Sequence, residues 1–421
     1  MLNNNIVNLL TLRYDPNIAN SNVIRDITYQ EIINHRQSSG PIPSAIEIEN
    51  AIRKTIKKKI EELQPNRIAV AISAGVDSNV ILSLIRKEFP NIEIDCLTVS
   101  FDDNNDNDGD NNSSSESEVK CAKKIAEGQN AKFHVIYLDN PLKDLPMLIS
   151  IVKEPRWNIY QYYFIEKARA LSSILFTGDG GDELFGGYTF RYRRFMQNLN
   201  NQDCSWIDRV RLYLLCHERD WVPDQEHMFG ENIKFSWSPI YMTLKKYFDN
   251  NLDPLEQVFL ADYHGKLMYD FIPTNEKYFK HFRLYGVAPL LSKDIIDLST
   301  KIPFDLKYDL ASNSGKIQLR QIIKNSMSSS MSNFIENKKM GFSIDLIKFW
   351  LKHAKEIVTS NLDKGRIFED KIVNRNWYNK SLMRINETQD TRYISKMLQL
   401  LSLEIWYKLF ITSEASPKSS L

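Results

Sequence analysis

Cysteine is rare in this sequence. Cys96, Cys121, Cys204 and Cys216 are the four among 421 residues, and no two form a C-x-x-C pair. That spacing argues against a disulfide framework and a structural zinc site, and it fits a reducing compartment. Long apolar runs are missing as well; none approaches the roughly 20 residues of a membrane span. The start, Met1-Leu2-Asn3-Asn4-Asn5, has neither the basic nor the apolar region of a signal peptide. Charge of one sign is also lacking, since 54 basic against 53 acidic side chains leave a net +1. Such a balance gives no general pull toward nucleic acid or an anionic membrane. These absences predict a cytoplasmic protein with neither as a partner. The length suffices for a large core and two or three packing units.

Glycine is sparse too, at 15 residues, yet five fall within Gly178-Asp179-Gly180-Gly181-Asp182-Glu183-Leu184-Phe185-Gly186-Gly187-Tyr188. This stretch follows the apolar run Ile174-Leu175-Phe176, so it sits at the end of a predicted buried strand. Glycine lets the backbone approach a ligand closely, and crowded carboxylates there repel one another unless a cation or proton intervenes. An acidic surface turn is the plain alternative; a metal–phosphate site is the stronger reading. A second loop supplies the phosphate half. Ser73-Ala74-Gly75-Val76-Asp77-Ser78 follows the strand-like Arg67–Ile72, and Val80, Ile81, Leu84 and Ile85 then recur at helical spacing. A strand, a small-residue loop and a helix N-terminus together offer backbone N–H groups and a favourable dipole to an anion. Ser73 and Ser78 add hydroxyl donors, and Asp77 can hold magnesium against phosphates. The loop is neither a Walker loop nor the Rossmann glycine fingerprint. Its plain alternative is an ordinary helix start with Ser73 as N-cap.

Strand signals recur at Ile68–Ile72, Ile94–Phe101, Phe133–Leu138 and Ser173–Thr177, with helical patterns between them, including Val119, Ala122, Ile125 and Ala126. The alternation predicts an α/β fold with a doubly wound, mainly parallel sheet, whose ligands bind beyond the carboxyl ends of the strands. Both loops fall there. After Tyr188 the pattern is helical and aromatic, as at Tyr241, Leu244, Tyr247 and Phe248. Ile394, Met397, Leu398, Leu401, Ile405 and Leu409 mark a last long helix, and these residues are expected in the core. Near the start, Ile6 to Leu12 reads as a strand and Ser38–Pro43 as a linker. A helix then carries Ile48, Ile52, Ile56, Ile60 and Leu63 on one face, with Lys57, Lys58 and Lys59 on its solvated side. The acidic stretch Asp102–Glu118 is expected to be a mobile loop. It is no EF-hand, because aligning Gly109 at the sixth place puts Ser115 where a bidentate glutamate is needed. The seven histidines are scattered, and His134 is expected to be structural.

Ser-Ala-Gly-Val-Asp-Ser at Ser73–Ser78 resembles the Ser-Gly-Gly-x-Asp-Ser pyrophosphate loop of the ATP pyrophosphatases. The Gly178–Tyr188 stretch resembles the Gly-Glu-Gly-x-Asp-Glu-hydrophobic-Phe-Gly-Gly-Tyr segment of the asparagine synthetase family. Lys316-Ile317-Gln318-Leu319-Arg320 is similar to that family's Lys-x-x-Leu-Arg, and Lys339-Met340-Gly341-Phe342 to its Lys-x-Gly-Phe. The motifs keep the family's order, and the resemblance runs from about Ala45 to about Phe410 on this motif reading.

The resemblance implies a synthetase domain over residues 46–412, with a nucleotide-binding part to about 198 and a helical part beyond it. Residues 1–45 would be an N-terminal extension, a docking or sheet-completing segment, and 413–421 a disordered tail. It implies an ATP-dependent ligase that activates a small carboxylate, aspartate first, as an acyl-adenylate, with ATP and Mg2+ required. ATP would lie on Ser73, Ala74, Gly75, Val76, Asp77 and Ser78, with Ile72, Val99, Thr177 and Gly178 lining the adenosine. Asp77 and Asp182 would ligate magnesium; Lys316 and Lys339 would stabilise the reacting phosphate; Asp179 would accept a proton. Three positions depart from the pattern: Asp179 stands for glutamate, Ala74 for glycine, and Ser292 ends a Pro-Phe-Leu-Asp-like segment. Position 2 is Leu2 where glutamine-dependent members carry the catalytic cysteine, and 72 residues precede Ser73, against roughly 100–200 for a domain. Ammonia, free or from a separate glutaminase subunit, is therefore the expected nitrogen source. A β-lactam-synthetase-like cyclase and a catalytically inactive nucleotide-binding protein remain as alternatives.

Overall fold

In the computed structural model, the structure describes residues 2–17, 24–38, 40–101, 114–199, 204–217, 219–328, 335, 344–419 and 421. Five strands form one parallel sheet: β1 (Arg67–Ala71), β2 (Glu93–Ser100), β3 (Lys132–Tyr137), β4 (Ile174–Phe176) and β5 (Tyr285–Val287), in the order β3-β2-β1-β4-β5. The four strands expected from apolar runs are present, each within two residues of its expected bounds. They read as strands because β1, β2 and β4 are almost wholly buried and rich in Ile, Val, Leu and Phe, as strands covered on both faces must be. The fifth, β5, is three residues long and half exposed, too short to show a pattern in sequence.

Topology fixes the place of the site. The chain runs outward from β1 through β2 to β3, then returns to lay β4 on the other side of β1, with Ala69 paired to Leu175 and Val70 to Phe176. The switch point therefore lies between β1 and β4, where the loops leaving their carboxyl ends diverge and open a crevice. The helix Val76–Glu88 packs on β1, while Gln161–Leu171 packs on β1, β2 and β4. Ala45–Leu63 flanks Val76–Glu88; its N-terminus is closed by a capping box between Ser44 and Glu47.

Three expectations change. Ile6–Leu12 is not a strand but part of a helix, Leu2–Leu12, with Ile6, Val7, Leu9, Leu10 and Leu12 all buried. The Leu10 carbonyl at its end accepts hydrogen bonds from the buried Gln225 (3.0 Å) and Lys396 side chains. That segment completes no sheet. Of the acidic stretch Asp102–Glu118, residues 102–113 lie outside the described residues, and from Ser114 the chain is helical to Gly128. The helix after Ser73 starts differently as well, since its N-cap is Gly75.

Beyond Tyr188 the chain is largely helical, ending in Thr391–Phe410, where Ile394, Met397, Leu398, Leu401 and Ile405 are core residues. His134 on β3 meets the buried Asp95 at 2.6 Å. Residues 413–419 carry no helix or strand, and the Ala415 N–H donates to the Lys408 carbonyl. Among the described residues no helix is long and apolar enough to cross a membrane.

Candidate active site

The loop after β1 is shaped by its own short polar side chains. Ser73 Oγ accepts from the Gly75 N–H at 3.1 Å, and the Ser73 N–H donates to Ser78 Oγ at 3.2 Å. Asn79 Nδ2 donates to the carbonyls of Ser73 (2.9 Å) and Gly75 (2.6 Å). Those bonds turn the carbonyls inward, leaving the helix N-terminus Val76–Glu88 to face an anion with its N–H groups and its positive dipole end. Asn79 is fully buried and has no counterpart among the residues picked out in sequence. Its one signal is an amide set within the apolar helix start Val76–Ile85. Ala74 is buried, and its φ is not positive, so a methyl replaces the glycine hydrogen without backbone strain.

The loop after β4 lies directly on the first one. A Cβ at Gly178 would fall 2.7 Å from the Ser78 nitrogen, and one at Gly181 would fall 2.3 Å from Asp77 Cγ. Only glycine permits this approach. Gly180, with φ +91°, turns the chain into a short helix, Gly181–Phe185, which carries Asp182 in its first turn. Leu291 packs beneath Gly180, so the segment Pro289–Ser292 contributes its leucine to the floor of the loop. Ser292 itself is the N-cap of the helix Lys293–Lys301 and caps it without a side-chain bond. Glu183 turns inward and accepts a 2.5 Å hydrogen bond from Tyr188 Oη.

Lys316 joins the two loops. It precedes the helix Ile317–Ser326 in a left-handed conformation (φ 59°), and its N–H donates to the Phe185 carbonyl at 2.9 Å. The side chain is 10% exposed, and its ammonium lies 2.6 Å from Asp77 Oδ2 and 2.7 Å from Asp182 Oδ1. Burial opposes the charge, but Asp182 and Asp77 outweigh it and hold the lysine well above its usual range. The residue expected to act as a cation thus bridges the two residues expected to bind metal. Arg320, one turn further along the same helix, lies within the field of Asp77 and donates from Nε to the Gly315 carbonyl at 2.9 Å.

Two carboxylates and one ammonium carry one net negative charge, a donor set that suits a hard divalent cation. Among the described residues no third His, Cys, Asp or Glu completes a metal-binding group. Magnesium needs no such cage, because it keeps several waters and takes phosphate oxygens beside one or two carboxylates. The residues present fit it.

Asp179 stands apart from this cluster. Its Oδ2 accepts from Thr177 Oγ1 at 2.9 Å and from Asn275 Nδ2 at 3.1 Å. Burial pushes its carboxyl above the ordinary range, and the two hydrogen bonds only partly offset this. A raised carboxylate is a better proton acceptor than an exposed one. Asn275 comes from the helix Ile272–Phe282 and was not singled out in sequence. Ile72, Val99 and Thr177 close β1, β2 and β4; all three side chains are buried, so a nucleotide there would meet backbone edges more than side chains. Lys339, with the rest of Lys338–Phe342, lies outside the described residues. Of the expected site residues, the structure brings Ser73–Ser78, Gly178, Asp182 and Lys316 together at the switch point, with Asp179 in the same loop.

A protein-family model described as asparagine synthase matches residues 47–408. The chain is also similar to "Asparagine synthetase [glutamine-hydrolyzing] 1" of Bacillus subtilis (strain 168), at 21% identity over an alignment of 409 positions that takes in 88% of this chain. It spans 60% of the length of that relative.

Proposed function

The chain belongs to the asparagine synthase family, and on that premise we propose that it is an ATP-dependent, amide-forming ligase. In this reading a small carboxylate, aspartate in the first instance, attacks the α-phosphate of ATP. Pyrophosphate leaves, and an acyl-adenylate remains. Ammonia, free or delivered by a separate glutaminase subunit, then attacks the acyl carbon and expels AMP. The observation that carries the reading is the convergence of Asp77, Asp182 and Lys316 within hydrogen-bonding distance at the switch point of the sheet.

Each residue has a role that its surroundings support. The N–H groups of Ser73–Ser78, held outward by Asn79, would cradle the phosphates. The carboxyl ends of β1, β2 and β4, at Ile72, Val99 and Thr177-Gly178, would line the adenosine. Magnesium, when bound, would be held by Asp77 and Asp182 and would screen phosphate charge. Lys316, whose ammonium lies between Asp77 and Asp182, would offer its charge to the phosphates beside them. Such preorganised charge carries most of the catalysis in phosphoryl and nucleotidyl transfer. Lys339 would add a second cation, on the strength of the family motif. Asp179, whose carboxyl burial keeps basic, would take the proton from the attacking nitrogen.

Pyrophosphate release tests this reading, assayed with a panel of carboxylates that begins with aspartate, with and without ammonium. Carboxylate-dependent release and ammonium-dependent amide are expected. Release that is indifferent to ammonium would point to an intramolecular cyclase. No release with any carboxylate would leave a nucleotide-binding protein without ligase activity.

A further inference from the structure

Asp179 and Asn275 are 96 residues apart in sequence, and the structure brings them into contact. Asn275 sits in the first turn of the helix Ile272–Phe282, which packs on β5 and on Gln161–Leu171. The residue is 4% exposed. The amide can face a carboxylate only with its NH2 group, so its orientation is set by Asp179. Asn275 Nδ2 and Thr177 Oγ1 both donate to Asp179 Oδ2, while Oδ1 of Asp179 accepts nothing from the described residues. On the other side of the same amide, the carbonyl oxygen of Asn275 is buried and has no hydrogen-bond partner among the described residues. An unpaired buried acceptor is costly and calls for an explanation, of which a catalytic role or a bound water or ion is one.

We propose that Asn275 is the positioning residue for Asp179, and that its unpaired carbonyl and the Asp179 carboxylate together seat the attacking nitrogen, an ammonium or primary amine. The inference rests on the ligase reading. An ammonium can donate to both acceptors at once, and a carboxylate beside a neutral carbonyl favours a cationic amine over a neutral donor such as water; the amine becomes nucleophilic on losing its proton. In the step itself Asp179 takes one proton from the ammonium, and the freed nitrogen lone pair forms a bond to the acyl carbon. The acyl–oxygen bond to AMP breaks with its electron pair left on the phosphate oxygen, and the second proton shed by the nitrogen goes to the departing phosphate or to water. The anchoring also meets the difficulty of a short side chain. Aspartate reaches less far than glutamate, and a base off by about 1 Å is costly, so a rigidly held carboxylate matters more here. Apart from burial, the groups that bear on Asp179 ionisation are the neutral Thr177 and Asn275.

The test compares wild type with Asn275→Ala and Asn275→Asp, reading adenylation by pyrophosphate–ATP exchange and the second step by ammonium kcat/KM. Exchange is expected within a few-fold of wild type, while ammonium kcat/KM falls by about 10-fold or more, the value of a hydrogen bond to a charged group. The acid limb of the amide-forming pH profile moves to higher pH, further in Asn275→Asp than in Asn275→Ala, because a donor to the ionised carboxylate is lost. Intact exchange with unchanged ammonium kcat/KM and an unmoved limb would overturn the inference. Absence of exchange in wild type would instead sink the ligase reading. A denaturant double-mutant cycle of Asp179→Asn with Asn275→Ala needs no substrate and separates the two. Coupling is expected at neutral pH and should fall as pH is lowered through the raised Asp179 carboxylate range; nil coupling at neutral pH would refute the contact.

Discussion

Replacing Lys316 with methionine removes the charge that lies between Asp77 and Asp182 and keeps most of the volume. The two carboxylate oxygens sit 2.6 and 2.7 Å from one ammonium, so without it two negative charges remain about 5 Å apart, repelling by about 3 kcal/mol at an effective dielectric near 20. The side chains of Asp77 and Asp182 are 16% and 18% exposed, so solvent relieves part of this and Arg320 near Asp77 a little more. A loss of about 3 kcal/mol is nonetheless expected, at the low end of what breaking a buried pair costs. The assay is denaturant unfolding of both proteins, with and without magnesium, across pH.

The signs differ between the two proteins. In wild type the Lys316 contribution is fully present below the unfolded lysine value of about 10.4 and is lost as pH rises through the higher folded value. In Lys316→Met, protonating one carboxylate relieves the repulsion, so stability recovers as pH falls into the carboxylate range. Magnesium should also rescue the variant, by about 2.7 kcal/mol at a hundredfold excess over Kd, and wild type less, because there it must first displace the ammonium. A variant as stable as wild type at neutral pH, flat across pH and indifferent to magnesium, would refute the reasoning.

Asp182→Asn should abolish magnesium-dependent pyrophosphate release in a folded protein, which circular dichroism and turnover assays check together; unchanged turnover would remove Asp182 from the metal site. Gly181→Ala places a methyl where Asp77 Cγ lies 2.3 Å away, so ATP affinity by calorimetry should fall sharply, while nearly normal affinity would mean that the two loops are not held in contact. Lys339→Met should slow adenylation by about 100-fold with little change in unfolding midpoint, the usual size of a single substitution away from the core. Survival of activity within a few-fold would show that the motif match does not carry the residue's role. Removing residues 1–38 should expose the apolar surface covered by Ile6, Val7, Leu10, Ile27 and Ile32 and lower the unfolding midpoint of the remaining chain; an unchanged midpoint would mean that this segment folds separately.

The two chemical loops were legible because their information is local. Five glycines and three acids within Gly178–Tyr188 have few competing explanations, whereas Ser73 to Ser78 fits an ordinary capped helix start as well and gains its meaning beside the other loop. The strands were legible for a similar reason, since burial on both faces leaves continuous apolar runs. Ile6–Leu12 misled because a short run that is apolar nearly all round fits a buried helix as well as a strand. Asn79 and Asn275 were invisible for a different reason. An asparagine has no preferred role, and what gives these two a role is a carbonyl that faces the helix interior and a carboxylate from another element. Lys316 was found through its motif, yet its bridging of Asp77 and Asp182 depends on a left-handed residue that brings a distant helix to the sheet edge. Such placements belong to packing, and sequence patterns carry little of it.

The N-terminal segment shows how packing reaches the site. Arg25 Nε donates to Asp297 at 2.6 Å, and Arg36 bonds Glu256 at 2.6 Å and the Ile302 carbonyl at 3.0 Å. Asp297 belongs to the helix Lys293–Lys301, and Ile302 caps it. From that helix Ser299 Oγ donates to the Leu184 carbonyl at 2.8 Å, closing the short helix that carries Asp182, and Lys307 donates to the same hydroxyl at 3.0 Å. Leu291, just ahead of the helix, fills the space under Gly180. A path of hydrogen bonds and packed side chains thus runs from Arg25 and Arg36 to the back of the acidic loop. Glycine-rich loops lose more conformational entropy on folding than other segments, so a loop with five glycines needs support from behind to keep Asp182 opposite Asp77. On this view residues 24–38 act as a brace that keeps Asp182 opposite Asp77, and the geometry of the loops depends on a segment outside them.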